Sequence, residues 1–140
     1  MPDAELSLPE LGAWGEALGA RLTPPAIVTL AGDLGSGKTT LVQAICRGYG
    51  VREPVTSPTF ALVHEYRAER SPVFHLDLFR LGGPRELANI GWEDALASRA
   101  LVLIEWPERA GPEAPYAHPT TTQLRLAHVP GAPDKRRVCW

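Results

Sequence analysis

Residues 32–39 read Gly-Asp-Leu-Gly-Ser-Gly-Lys-Thr, and the six residues before them, Ala-Ile-Val-Thr-Leu-Ala, are a continuous, β-branched, largely apolar run. The G-x-x-x-x-G-K-[ST] spacing asks for a buried strand to deliver the chain, a tight turn of backbone N–H groups and a helix N-terminus. Together these form a nest of positive partial charge that fits the β-phosphate of a nucleotide. Lys38 is then placed to reach the outer phosphate oxygens and the Thr39 hydroxyl to ligate Mg²⁺. Downstream, Leu41, Ile45 and Cys46 recur at helical spacing until Gly48 and Gly50 stop the run. The plain alternative, a glycine-rich turn that only caps a helix, leaves the lysine unexplained. Of 14 basic residues only Lys38 and Lys135 are lysines, and one of them falls where a compact ammonium is needed.

A chain of 140 residues with 44% hydrophobic content has enough material for one core and too little for two, so residues 1–140 are expected to form a single domain. A net charge of −2 gives no basic footprint for direct capture of nucleic acid, so any RNA is expected to be held by another protein. Cys46 and Cys139 show no C-x-x-C spacing and the chain does not start like a secreted one, which suits a reducing cytoplasm. No run approaches the roughly 18 apolar residues of a membrane span. His64, His75, His118 and His128 lack metal-ligand spacing with the cysteines and read as structural or surface residues.

Leu8, Leu11, Trp14 and Leu18 predict an amphipathic helix over residues 5–22, ended by Thr23-Pro24-Pro25. Residues 60–66 and 73–79 alternate as two strands of an antiparallel hairpin. A helix is expected from about residue 84 to 90, interrupted at Gly91, with a second turn over residues 92–97. Residues 100–105, Ala-Leu-Val-Leu-Ile-Glu, look like a central parallel strand. Residues 106–120 are proline-rich and expected to be irregular, and residues 123–128 and 136–140 predict a terminal hairpin.

Hydrolysis needs a second magnesium contact and a group that positions water. Glu105 closes an apolar strand, where doubly wound sheets gather their ligands, and is the candidate for the first task; the alternative is a solvated strand-end carboxylate. Asp77 shares a strand face with Val73, His75 and Phe79, company in which an acid is costly unless paired or functional, and is the candidate for the second. Pairing with Arg80 is its structural alternative. Thr59, in Ser-Pro-Thr-Phe, lies where nucleotide switches sense the γ-phosphate, unless it only makes a turn. Trp106 reads equally as a stacking or a core residue, Arg109 as a nucleotide or surface residue, and the cluster Lys135, Arg136 and Arg137 as a solvated tail.

Five phrases in fixed order, residues 32–41, 57–66, 75–81, 86–91 and 103–108, resemble the TsaE family of small bacterial ATPases, formerly called YjeE. The resemblance implies an α/β, P-loop NTPase-like domain with a mixed, mostly parallel central sheet flanked by helices. It implies a weak ATPase that uses ATP and Mg²⁺ and acts with the TsaB and TsaD proteins. That complex forms the threonylcarbamoyl group on adenosine 37 of tRNAs reading codons that begin with adenine, and the ATPase resets it. Position by position, the resemblance puts ATP contacts on Gly35, Ser36, Gly37, Lys38, Thr39 and Thr40, magnesium ligands on Thr39 and Glu105, a switch on Ser57, Pro58 and Thr59, and the essential aspartate on Asp77. Leu11 stands where the family usually has a threonine near the nucleotide, and the family's C-terminal basic contact falls on Arg136 or Arg137.

Two other classes stay open. A small-molecule kinase also pairs such a loop with a strand-end acid, although little chain remains here for a lid. A non-hydrolysing nucleotide-binding adaptor would need neither Asp77 nor Glu105. A GTPase is disfavoured because Asn89, the sole asparagine, is not in an Asn-Lys-x-Asp phrase.

Overall fold

The computed structural model describes residues 2–56, 63–82, 85–86, 91–111 and 121–140, and only the backbone of Trp92. In chain order the elements are β1 (Asp3–Ser7), α1 (Leu8–Arg21), β2 (Ala26–Ala31), α2 (Lys38–Tyr49), β3 (Val63–Arg67), β4 (Pro72–Asp77), α3 (Trp92–Ala97), β5 (Leu101–Glu105), a 3₁₀ turn (Pro107–Ala110), β6 (Thr122–Val129) and β7 (Ala132–Cys139). The strands form one sheet in the order β1-β7-β6-β2-β5-β4-β3. Its centre, β6-β2-β5-β4, is parallel, and antiparallel partners close both flanks. The mixed, mostly parallel α/β sheet expected from the sequence is the observed one.

One face of this sheet presents Val28, Leu30, Val73, Leu101, Leu103, Leu124 and Leu126 to α1 and α2, which cover it with Leu11, Leu18, Leu41, Val42, Ile45 and Tyr49. The other face gathers Leu76, Val102 and Ile104 with Leu78, Leu81 and Ala110, and Leu96 of α3 packs there. The two helices lie unusually close because glycines line the contact. A Cβ on Gly19 would fall 2.1 Å from the Ile45 carbonyl oxygen, and one on Gly48 would fall 2.0 Å from that of Glu16. Their seam is edged by an Arg47–Glu16 ion pair at 2.9 Å.

The first helix is shorter than its apolar period suggests. Residues 3–7 pair with β7 as a strand, and Ser7 caps α1 through a reciprocal box in which its hydroxyl accepts from Glu10 N and its own N–H donates to Glu10 Oε1. Such a cap is worth about 1 kcal/mol and fixes where the helix starts. The fourth strand also stops early, at Asp77, because Asp77 Oδ1 accepts from Phe79 N at 3.1 Å and bends the chain. The β2 and β5 strands and both hairpins form where the sequence places them, except that β7 already starts at Ala132, inside the turn expected around residues 130–133, and that residues 60–62 are outside the described part of the chain. Residues 57–62, 83–84, 87–90 and 112–120, which include Thr59 and most of the helix expected over 84–90, lie outside the described residues. Among the described residues no helix is long and apolar enough to cross a membrane.

Candidate functional site

The parallel centre of the sheet brings the ends of β2, β4 and β5 to one edge, where α2 begins. Its N-cap is Gly37, in the left-handed conformation at φ 100°, and no side chain caps the helix. Among the described residues, then, no side-chain cap takes up the N–H groups at the head of α2, in contrast to α1. Lys38 opens this helix buried, its Nζ donating to the carbonyls of Gly32 and Asp33 at 2.6 and 2.8 Å and lying 4.2 Å from the centre of the Trp106 ring. Burial pushes the Lys38 ammonium below its ordinary pKa, opposed by the charges of Glu105, Glu108, Asp77 and Asp33.

Register places the acids. Glu105 lies opposite Leu30 on one side and Asp77 on the other. It is only 2% exposed, which excludes the solvated strand-end carboxylate. The Thr39 hydroxyl lies 3.2 and 3.4 Å from its two oxygens, and His75 Nε2 lies 2.5 Å from Oε2. Asp77 is half-buried, and desolvation raises its carboxyl pKa; the Phe79 amide pulls it down and Glu105 pushes it up again. Lys38, Thr39, Asp77 and Glu105 line one cleft of about 330 Å³ with Leu34, Gly35, Gly37, Thr40, Phe79 and Trp106.

Trp106 reaches this cleft by a backbone conformation rare for an aromatic residue, φ 57° and ψ 51°. The turn lays its ring over Lys38 and 4.9 Å from that of Phe79, with Arg109 stacked outside at 5.5 Å from Phe79 and 6.0 Å from Trp106. Left-handed strain of about 1–2 kcal/mol is offset by these contacts and by the Trp106 N–H bond to Leu30 O at 3.3 Å.

These residues fit a nucleotide phosphate with its magnesium ion. The head of α2 has no side-chain cap, and the Lys38 ammonium donates to two loop carbonyls, Gly32 O and Asp33 O, in whose place phosphate oxygens can accept. A hydroxyl and a carboxylate already lie together as oxygen donors of the kind Mg²⁺ takes. Of the expected loop contacts, Gly35, Gly37, Lys38, Thr39 and Thr40 line the cleft, whereas Ser36 is fully buried, is not part of that lining, and has no partner for its hydroxyl among the described residues. Thr59 lies outside the described residues.

Leu11 belongs to the core: it is fully buried, and its Cδ2 lies 3.8 Å from where a Cβ on Gly37 would sit. The basic tail is not simply solvated. Arg137 pairs with Glu5, and Arg136 turns inward to donate from Nε to the Ser36 carbonyl at 3.1 Å. His75 is the site residue that the sequence treats as ordinary. Its one signal is its place two residues before Asp77 on the same strand face.

Fold and site together define a mixed α/β domain with a glycine-rich, lysine-bearing phosphate-type loop at the carboxyl edge of its parallel strands. The chain belongs to the TsaE family: the model for "Threonylcarbamoyl adenosine biosynthesis protein TsaE" matches residues 7–138. The protein of that name from Nostoc is 42% identical over 118 residues, covering 81% of this chain and 70% of the relative. Its counterpart from Treponema pallidum is 33% identical over 120 residues, covering 86% and 87%. The crystal structure of YdiB from Bacillus subtilis shares the fold with a TM-score of 0.70 at 24% identity, over 98% of this chain and 83% of that one.

Proposed function

We propose that this protein is a magnesium-dependent ATPase of tRNA threonylcarbamoyladenosine synthesis, acting in the cytoplasm with TsaB and TsaD and reaching tRNA only through them. The observation that carries the reading is the convergence of Lys38 and Thr39, from the head of α2, with Asp77 and Glu105, from adjacent strand ends, on one cleft. Family membership supports the pathway.

In this reading the N–H groups of the loop and Lys38 bind the phosphates of ATP, and Thr39 and Glu105 hold Mg²⁺, which when bound neutralises charge developing between the outer phosphates. Asp77 orients the attacking water and accepts its proton. A carboxylate made more basic by burial suits that task better than an exposed one. His75 holds Glu105, and Trp106 and Phe79 wall the cleft against bulk water. Hydrolysis serves to reset the TsaB–TsaD transferase between turnovers.

Phosphate release measured with and without the TsaB–TsaD pair tests the proposal. Slow release alone and faster release with the pair are expected. ATP binding without release in either case would indicate an adaptor, and phosphate transfer to a metabolite a kinase; either outcome overturns the reading.

A further inference from the structure

The terminal hairpin packs against the back of the glycine-rich loop. A Cβ on Gly32 would sit 2.6 Å from the Leu126 carbonyl oxygen of β6, so only glycine allows the loop to start so close to that strand. On β7, Arg136 stands between His128 of β6 and Leu6 of β1, two residues before the fully buried Val138. Its Nε donates to Ser36 O at 3.1 Å, while Nη1 donates to its own hairpin's carbonyls, Pro133 O and Lys135 O, each at 2.8 Å.

That contact fixes more than one carbonyl. The Ser36 C=O and the Gly37 N–H belong to one planar peptide unit, and in the trans form they point in opposite directions. Among the described residues the Pro24–Pro25 bond is the only cis peptide, so the Ser36–Gly37 unit is trans. Gly37 lines the cleft, whereas Arg136, which holds the Ser36 carbonyl, is not among the residues that line it. Gly37 has no Cβ and sits at φ 100°, so little in its own conformation resists rotation of that peptide. A guanidinium anchored to the hairpin by two further bonds supplies the missing constraint. It also polarises the peptide so that the N–H on the far side becomes a better donor.

We propose that Arg136 is a positioning residue that aims the Gly37 N–H into the cleft and so preorganises the loop for phosphate. The proposal rests on the nucleotide-binding reading above. It accounts for an inward-turned arginine between the exposed Lys135 and Arg137, and for a loop peptide held by the last strand of the chain instead of by its own helix.

Three full-length variants test it: Arg136→Met, Arg136→Lys and Arg137→Ala. The readouts are ADP affinity by calorimetry, the Gly37 amide resonance of the nucleotide-free protein by NMR, and the melting temperature. Arg136→Met is expected to shift the Gly37 resonance and weaken ADP binding roughly tenfold, the scale of one charge-assisted hydrogen bond. Arg136→Lys keeps the charge without the fork and should remain weakened, whereas Arg137→Ala, which breaks only the exposed Glu5 pair, should bind as the parent does. If Arg136→Met binds ADP normally with an unmoved Gly37 resonance, or if lysine restores full affinity, the proposal falls. Equal weakening by Arg137→Ala would overturn it in favour of a general charge effect. Should Arg136→Met fail to fold, Arg136→Lys and Arg137→Ala decide. A parent protein that does not bind ADP refutes the nucleotide reading, and the Gly37 resonance alone then decides the orientation.

Discussion

His75 Nε2 lies 2.5 Å from Glu105 Oε2, both side chains sealed from solvent near the ends of adjacent parallel strands. Because the Thr39 hydroxyl approaches the same carboxylate, His75 governs how Glu105 faces the cleft. His75→Phe keeps a flat aromatic ring, somewhat larger than the imidazole, and removes the donor. It should cost about 1–3 kcal/mol in urea denaturation and weaken magnesium-dependent nucleotide binding by roughly 10–100-fold. Titrations with and without Mg²⁺ separate these effects. Equal affinities for parent and variant in Mg²⁺ would show that His75 does not position Glu105.

Asp77 is destabilised as a charged group by burial, so its folded pKa lies above the unfolded one. The folded state therefore binds the proton more tightly, and stability is fully present below the ordinary carboxylate pKa and lost as pH rises through the raised one. Asp77→Asn should raise the melting temperature of the nucleotide-free protein at pH 7, and the gain should vanish in acid. ATP affinity should hold while turnover collapses, since a group that acts on the attacking water contributes mainly to the transition state. A neutral-pH melting temperature below the parent's would contradict this account of the site.

Lys38 is already held at the loop by Gly32 O and Asp33 O. Lys38→Ala should abolish measurable ATP binding while leaving the fold intact by circular dichroism. Comparable loss of affinity in Lys38→Ala and Asp77→Asn would mean that Asp77 binds ground-state nucleotide, contrary to its assigned role.

Two glycines of α1 should respond in opposite directions. At Gly12 the nearest atom to an added Cβ is Arg47 Nη2 at 3.9 Å, so Gly12→Ala should stabilise the protein by about 0.5–1 kcal/mol. At Gly19 the Cβ would meet the Ile45 backbone oxygen at 2.1 Å, so Gly19→Ala must push the helices apart, at about 1–3 kcal/mol or more. Thermal melts of the two variants suffice, and a stable Gly19→Ala would show that the helix pair is looser than its packing indicates.

Cys46 of α2 is fully buried in the hydrophobic core, and desolvation pushes its thiol up to about 12. Cys139 is only partly buried. A chromogenic disulfide should label Cys139 first, with Cys46 reacting only as the protein unfolds. Prompt modification of both thiols would indicate that α2 opens readily from the core.

Elements whose signal is local were legible in the sequence. The strand over residues 26–31, the loop after it and the apolar run ending in Glu105 carry their structure in residue type and spacing, and they locate most of the cleft. Boundaries set by pairing were not. Residues 3–7 have helix-like apolar spacing downstream, yet they form a strand because β7 offers an open edge. Phe79 continues the alternation of β4 but leaves it, because the Asp77 side chain takes its amide.

The sequence by itself determined that a phosphate-type loop motif exists and that the chain resembles the TsaE family, and it offered Asp77 and Glu105 as candidate companion acids. The loop and its flanks follow from residue chemistry at short range, where spacing is geometry, whereas the meeting of Asp77 and Glu105 beside it follows from strand register. Tertiary structure alone decided that His75 meets Glu105, that Trp106 covers Lys38, and that Arg136 reaches Ser36 across 100 residues of chain. Each of these depends on strand order and register, which bring distant residues to one edge of the sheet, and no local pattern records that placement.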